Sequence, residues 1–241
     1  MNNQSSRAWG YYLRGLKKDL SSVSHAYPRM AVFVTGGADS SLLACLARPF
    51  RPVLYYGSIA SPSQKTYNRR AILRCRKLAE DLKLDFVSVP IRKKDYHSGL
   101  RRLKRILPPL CLEQDQDLPA AWCLMKAVRD RQGPGTLVLS GMGWNEFFEA
   151  DKKTFIRFFS EKFPRELLSH EILAFSLGLC FRSPMGSRNS LLFRGKNRRS
   201  RREFLSFLAS RRLIPGELVS EPSLHSQIPD DFRRRSGRKD S

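Results

Sequence analysis

The sequence is poor in acid. Its 22 Asp and Glu stand against 44 Lys and Arg, a formal net charge of +22 at pH 7. Such a chain favours polyanions as partners or substrates: nucleotides, RNA or an acidic protein surface. Cysteine is sparse as well. Cys45, Cys75, Cys111, Cys123 and Cys180 are scattered with no C-x-x-C pair, which reads as buried or free thiols in a reducing compartment rather than a disulfide framework or a zinc site. There are 4 histidines, and His97 has no second ligand at metal spacing. No apolar run is long enough to span a membrane, and the N-terminus has no signal-peptide core. These absences predict a soluble, cytoplasmic protein. The remaining composition, 241 residues with 41% hydrophobic, suits one large domain or one domain with an appendage.

The stretch that organises the rest begins at an apolar run, Ala31 to Val34, and ends in Thr35-Gly36-Gly37-Ala38-Asp39-Ser40. Ser41 to Ala47 then has helical composition. A buried strand, a tight turn and a helix N-terminus follow one another. Glycines allow a sharp turn and keep side chains out of a ligand's way. Amides of the turn and first helical turn are expected to point outward, where a phosphate can bind them. Beside phosphates, Asp39 is suited to hold a divalent cation such as Mg²⁺.

The pattern around it is strand, helix, strand. Trp9 to Leu20 fits an amphipathic helix with Lys17 and Lys18 on its wet face, closing a segment 1–28 that Pro28 ends. Val53 to Gly57 reads as a strand. Asn68 to Leu82 is a helix with Ala71, Ile72, Cys75, Leu78, Ala79 and Leu82 on one face and Arg69, Arg70, Arg74, Arg76 and Lys77 over the rest. Asp85 to Pro90 is a third strand, and Thr136 to Ser140 a fourth after a helix over 118–131. Residues 91–118 look less regular, with basic clusters and a small acidic patch at Glu113, Asp115 and Asp117. The rhythm predicts an α/β fold, a doubly wound parallel sheet with helices on both faces, over residues 29–150. Residues 151–219 read as an added C-terminal helical part of the same domain. Residues 220–241 read as a basic tail with too little apolar surface to order itself.

The segment Thr35 to Ser40 resembles S-G-G-x-D-S, the signature of the PP-loop ATP pyrophosphatases, with Thr35 keeping the hydroxyl of the leading serine. Ser140-Gly141-Met142-Gly143-Trp144-Asn145-Glu146-Phe147-Phe148 resembles S-G-E-G-x-D-E-L-F of the asparagine-synthetase branch. Leu177 to Met185, with Arg182 and Pro184, is similar to its L-x-x-R-x-P-F segment. Leu213 to Leu218 is similar to its later L-(I/L)-P-x-E-(I/L) stretch. The resemblance runs in order from about Ala31 to Leu218.

It implies an adenine nucleotide α-hydrolase-like fold and ATP cleaved between its α- and β-phosphates, with Mg²⁺ as cofactor. The expected ATP-binding residues are Thr35, Gly36, Gly37, Asp39, Ser40, Ser41, Gly141 and Tyr55; the end of the second strand is expected near the adenine, where Tyr55 or Tyr56 either stacks on the ring or, the commoner role for a strand tyrosine, belongs to the core or edge. Asp39 and Asn145 are the expected metal ligands, and Glu146, Lys196 and Arg182 the expected catalytic residues. The implied reaction activates a carboxylate as an acyl-adenylate, which ammonia or an amine then attacks.

The departures bear on activity. Met142 stands at an acidic position and cannot move a proton. Asn145 stands at the metal-binding Asp and ligates without charge. The lysine expected beyond Pro215 is missing, and Lys196 is the nearest substitute. Asn2 follows the initiator where full asparagine synthetases carry the cysteine of a glutaminase domain, and with about thirty residues before the loop no such domain is expected. Nitrogen is then expected from free ammonia, an amine of the substrate, or a partner chain. Two other functions fit parts of the sequence: a PP-loop tRNA-modifying enzyme, from the basic surface and tail, and a catalytically degenerate nucleotide-binding scaffold, from Met142 and Asn145.

Overall fold

The computed structural model describes residues 27–105 and 118–140, parts of the segment between 13 and 25, and residues 206, 209–211, 229 and 232. Its regular elements are β1 (Arg29–Phe33), α1 (Ala38–Ala47), β2 (Val53–Ile59), α2 (Lys65–Leu82), β3 (Phe86–Ile91), α3 (Lys93–Leu103), α4 (Leu118–Gln132) and β4 (Thr136–Leu139). Pro28 lies directly before β1, where its missing donor costs no ladder bond. The apolar run buries Met30 to Phe33, and all of β4 is buried. Continuous burial of this kind belongs to strands covered on both faces.

The sheet is entirely parallel, in the order β3-β2-β1-β4. The chain winds outward from β1 to β3, then crosses back to place β4 on the other side of β1. Val32 therefore pairs with Leu139 on one side and Leu54 on the other. Strand order reverses between β1 and β4, and crevices that bind ligands in open α/β sheets form at the carboxyl ends of strands flanking such a reversal.

Alternation along β2 shows that helices cover both faces. The Tyr56 hydroxyl donates to Asn68 Oδ1 of α2 at 2.9 Å, while its neighbour Tyr55 accepts a bond from Gln132 Nε2 of α4 at 3.1 Å. Gly57, on the Tyr55 side, lies so close to α4 that a Cβ there would meet Leu124 Cδ1 at 3.2 Å. Side chains of successive strand residues point to opposite faces, so α2 and α4 sandwich the sheet. This is the doubly wound arrangement that the strand–helix rhythm predicts.

In the N-terminal segment, Leu13 and Leu20 join the main core while Lys17 and Lys18 are exposed, as an amphipathic helix requires.

Two expectations change. The stretch after β3 is helical from Lys93, not irregular. Asp95 sits three residues after Arg92 and accepts its amide at 3.3 Å, and Tyr96, Gly99 and Leu103 form the buried stripe. Gly99 lets α3 close on α4: a Cβ would stand 3.0 Å from the Pro119 carbonyl oxygen. The tail also departs from a wholly unordered arm. Pro229 is buried, and Phe232, 1% exposed, packs with Ile59, Ile91 and Tyr96.

Candidate nucleotide site

The parallel ladder carries β1 to the lip of the crevice. The Val34 amide donates to the Tyr55 carbonyl at 2.8 Å, and the chain then breaks from the sheet at Thr35. Gly36 turns it with φ +77°, in the left-handed region. Gly37 follows in extended conformation as the N-cap of α1. Asp39 occupies the second helical position, so the loop is a strand–turn–helix at the reversal of strand order and not a hairpin.

The turn is locked by its own side chains. Ser40 Oγ accepts the Thr35 amide at 3.1 Å and donates to the Gly37 carbonyl at 3.2 Å. Ser41 Oγ donates to the same carbonyl at 2.7 Å. Thr35 Oγ1 lies 3.3 Å from Ser40 Oγ and accepts a long bond, 3.4 Å, from the Gly37 amide. Beneath them, Gly36 makes a backbone hydrogen bond to the buried thiol of Cys75 on α2.

This geometry redistributes the expected roles. The amides of Thr35, Gly36 and Gly37 are engaged within the protein, so the turn itself is not the row of bare donors that its glycines suggest. The first bond of the α1 ladder is the Ser41 amide on the Gly37 carbonyl, 3.1 Å. Helix geometry leaves the amides of Ala38, Asp39 and Ser40 without acceptors in the helix, and they carry the positive end of its dipole. Ser40 and Ser41 are 3% and 2% exposed; their hydroxyls shape the turn instead of gripping a phosphate, and the Ser41 amide is spent on the helix. Thr35 remains exposed, with its hydroxyl at the surface of the turn.

Tyr55 is corrected as well. Its side chain has no exposed surface and its hydroxyl is tied to Gln132. A ring buried between β2 and α4 has no face to offer an adenine. Phe33↔Tyr55 is a register pair of the sheet, and Tyr55 is a core residue.

The second motif begins, with Ser140, at the same edge of the sheet. β4 lies against β1, and Ser140 follows Leu139, the residue paired with Val32. The carboxyl ends of β1 and β4 thus bring Thr35 and Ser140, far apart in sequence, to one edge. Gly141, Asn145, Glu146, Arg182 and Lys196 lie outside the described residues. Cys45, Cys75 and Cys123 are free thiols. Among the described residues there is no group of three or more His, Cys, Asp or Glu able to hold a metal, and no helix long and apolar enough to cross a membrane.

A glycine turn and a helix N-terminus lie at the strand reversal, and a second motif begins where the adjoining strand ends. The profile of asparagine synthase matches residues 20–221. The chain belongs to the asparagine synthase family. Its members are ATP-using synthetases of the PP-loop type, and the matched span contains both sequence motifs. Among solved structures, the NMN synthetase from Francisella tularensis is similar at 12% identity and a TM-score of 0.42, over 88% of each chain. No curated protein matches.

Proposed function

We propose that this chain of the asparagine synthase family is an ATP-dependent, AMP-forming carbon–nitrogen ligase. The observation that carries the reading is the place of the α1 N-terminus: the helix starts at the reversal between β1 and β4, and its first-turn amides have no acceptor within the helix. The amides of Ala38, Asp39 and Ser40 hold the outer phosphates, and the Thr35 hydroxyl adds a bond at the rim. Gly36 and Gly37 keep that approach clear of side chains. An oxygen of a substrate carboxylate attacks the α-phosphorus, the bond to the bridging oxygen breaks, and pyrophosphate leaves. Ammonia or an amine then attacks the acyl carbon of the acyl-adenylate, a proton passes to base, and AMP departs. Arg182 and Lys196 are assigned to neutralising charge on phosphate oxygens, and Glu146 to proton transfer from the amine. Bound Mg²⁺, held by Asp39 with Asn145, supplies further charge neutralisation on the leaving pyrophosphate.

Incubation with ATP, Mg²⁺, candidate carboxylates and amines tests this. AMP and pyrophosphate are expected in equal amounts. ADP as product, or no nucleotide turnover with any acceptor, removes the proposal. Met142 and Asn145 favour a second reading, a nucleotide-binding protein with its catalytic groups lost. Tight ATP binding without AMP formation under the same conditions selects it.

A further inference from the structure

The charges of α2 run against the helix that carries them. Between Lys65 and Lys77 stand Lys65, Arg69, Arg70, Arg74, Arg76 and Lys77, with no acid among them. The first turn holds no acidic residue and the last turn no basic one, while Glu80 and Asp81 lie near the C-terminal end. A helix dipole favours the opposite order, acids first and bases last. Lys65 with Arg69, Arg70 with Arg74, and Arg74 with Lys77 are also like charges three or four residues apart, a spacing at which they repel on a helix. The last turns of the neighbouring helices follow the favoured order: α3 ends with Arg101 and Arg102, α4 with Arg129 and Arg131. Local stability gives no reason for the cations of α2, and a local rule broken without structural gain points to function.

The fold gathers these cations on one face. Asn68, Ala71, Cys75, Leu78 and Ala79 are the buried stripe of α2, so the helix lies flat on the sheet. Arg69, Arg70, Arg76 and Lys77 are exposed. Each is three or four residues from Leu73, so together they ring it. Leu73 is 56% exposed, the one large hydrophobic so placed among the described residues. From Arg69 to Lys77 the face is about 12 Å long. β2 ends at Ile59 and α2 starts at Lys65, and Ala71 and Arg74 back the Gly36 turn. The N-terminal half of this face therefore stands at the ligand edge of the sheet.

Charge complementarity selects the occupant. A face of one sign, on a chain with net charge +22, fits a polyanion of evenly repeated charge. Because α2 lies flat, it offers a face and not a projecting helix that could enter the major groove of DNA. A face suits the RNA double helix, whose wide, shallow minor groove is recognised by shape and by phosphate contacts. A single exposed leucine is ordinary on a protein surface and calls for no apolar partner.

We propose that the exposed face of α2, through Arg69, Arg70, Arg76 and Lys77, docks the phosphate backbone of double-helical RNA. The proposal is independent of the nucleotide reading of the crevice: this face docks RNA whether or not the α1 N-terminus holds ATP.

The test is a fluorescence-anisotropy titration of the full chain with a labelled RNA duplex of about sixteen base pairs, over a series of salt concentrations. A DNA duplex of the same length and poly-L-glutamate are titrated in parallel. Two variants with the same change in charge are compared with wild type: Arg69→Ala, Arg70→Ala, Arg76→Ala, Lys77→Ala on α2, and Arg101→Ala, Arg102→Ala, Lys104→Ala, Arg105→Ala at the end of α3, all at exposed positions. The α2 variant is expected to bind the RNA duplex about tenfold or more weakly at low salt. Its slope of log K against log salt should be shallower by about 3–4, for four phosphates given up. Its melting temperature should stay at or above that of wild type, because like-charge repulsion is relieved. The α3 variant should change the slope by less than about 1. Should the alanine variant of α2 not fold, glutamine at the same four positions keeps most of each stem and takes its place. Equal losses in the α2 and α3 variants would mean that RNA answers only to net charge, and the proposal falls; it falls too if wild type does not bind the RNA duplex. A DNA duplex bound as tightly, with the same dependence on α2, shows the assignment to RNA to be wrong. Poly-L-glutamate bound as tightly, with that dependence, makes the partner an acidic protein instead.

Discussion

Gly36 and Cys75 form the join between the Thr35–Ser40 turn and α2. The glycine backbone hydrogen-bonds the thiol, which is completely buried behind it. A Cβ on Gly36 would come within 3.4 Å of the Ala71 carbonyl oxygen and 3.5 Å of Arg74 Cβ. The turn is thus held from the side opposite the crevice, and the position of the α1 N-terminus depends on how closely the backbone can rest on that helix.

Gly36→Ala tests this join. The left-handed φ of +77° is costly for any residue with a Cβ, on the order of 1–3 kcal/mol, and the new methyl also presses on α2. Urea unfolding should show a loss of that size. ATP affinity should fall with it, because the turn must shift to relieve both. An unchanged midpoint would mean that the turn does not rest on α2.

Ser40 and Thr35 should separate stability from binding. Ser40 Oγ is buried and serves both the Thr35 amide and the Gly37 carbonyl. Ser40→Ala leaves the part-buried Thr35 amide and the Gly37 carbonyl without this partner and should cost about 0.5–1.5 kcal/mol. Thr35 is exposed, and its hydroxyl makes only long bonds, so Thr35→Val should change stability by less than about 0.5 kcal/mol while weakening ATP. Paired denaturation and binding curves decide it. Equal stability losses in both variants would show that the two hydroxyls have the same job.

The thiols make alkaline stability another readout. Burial pushes Cys75 up to about 12, against the pull of Arg74 and of the Gly36 bond; burial pushes Cys45 and Cys123 up to about 11. A folded state that keeps a proton the unfolded chain has released is stabilised below the unfolded thiol range and loses that stability as pH rises through the folded values. The melting temperature should therefore hold to about pH 8.5 and decline from there towards pH 11–12. Burial raises Tyr56 too, adding to the decline only above the ordinary phenol range. In Cys75→Ala the curve should begin lower and fall less steeply. An identical slope would show that the Cys75 proton is not linked to folding.

The sequence pattern announced the strands and the two faces of helices because burial on both sides leaves continuous apolar runs such as Met30 to Phe33 and Leu137 to Leu139. It marked the loop at Thr35–Ser40 because a glycine pair between a strand and a helix has few other uses. It did not reveal which polar groups of that loop face outward. The three hydroxyls of Thr35, Ser40 and Ser41 look alike in the sequence, and only the three-dimensional turn shows that two of them point inward. Tyr55 and Tyr56 were equally indistinct: strand alternation separates them, but naming the face each one meets requires knowing that α2 and α4 lie on opposite sides. Helix α3 was hidden by its charges, although Asp95 and the spacing of Tyr96, Gly99 and Leu103 carried the signal. Burial of Phe232 was illegible, since one aromatic in a basic tail gives no hint of the seat that Ile59, Ile91 and Tyr96 prepare for it.

The departures at Met142 and Asn145 lead to the last prediction. A frame proposed to position phosphates does not by itself supply a proton acceptor or a charged metal ligand, and the motif that follows β4 in the sequence lacks one of each relative to the pattern it resembles. Removing a group aimed at transition-state charge typically costs ~10²–10³ in rate. If the chain is a slow ligase, Met142→Glu together with Asn145→Asp should raise AMP and pyrophosphate formation by up to that factor per restored group. ATP affinity should change far less, because the α1 amides and the Gly36 turn, to which the phosphates are assigned in the proposed function, are untouched. Single-turnover measurement of pyrophosphate release, beside a binding titration, separates the two effects. Weaker turnover in the double variant, with ATP still bound, would show that the chemistry of this chain relies on an uncharged pair at these positions and that the resemblance of the second motif misassigns their roles.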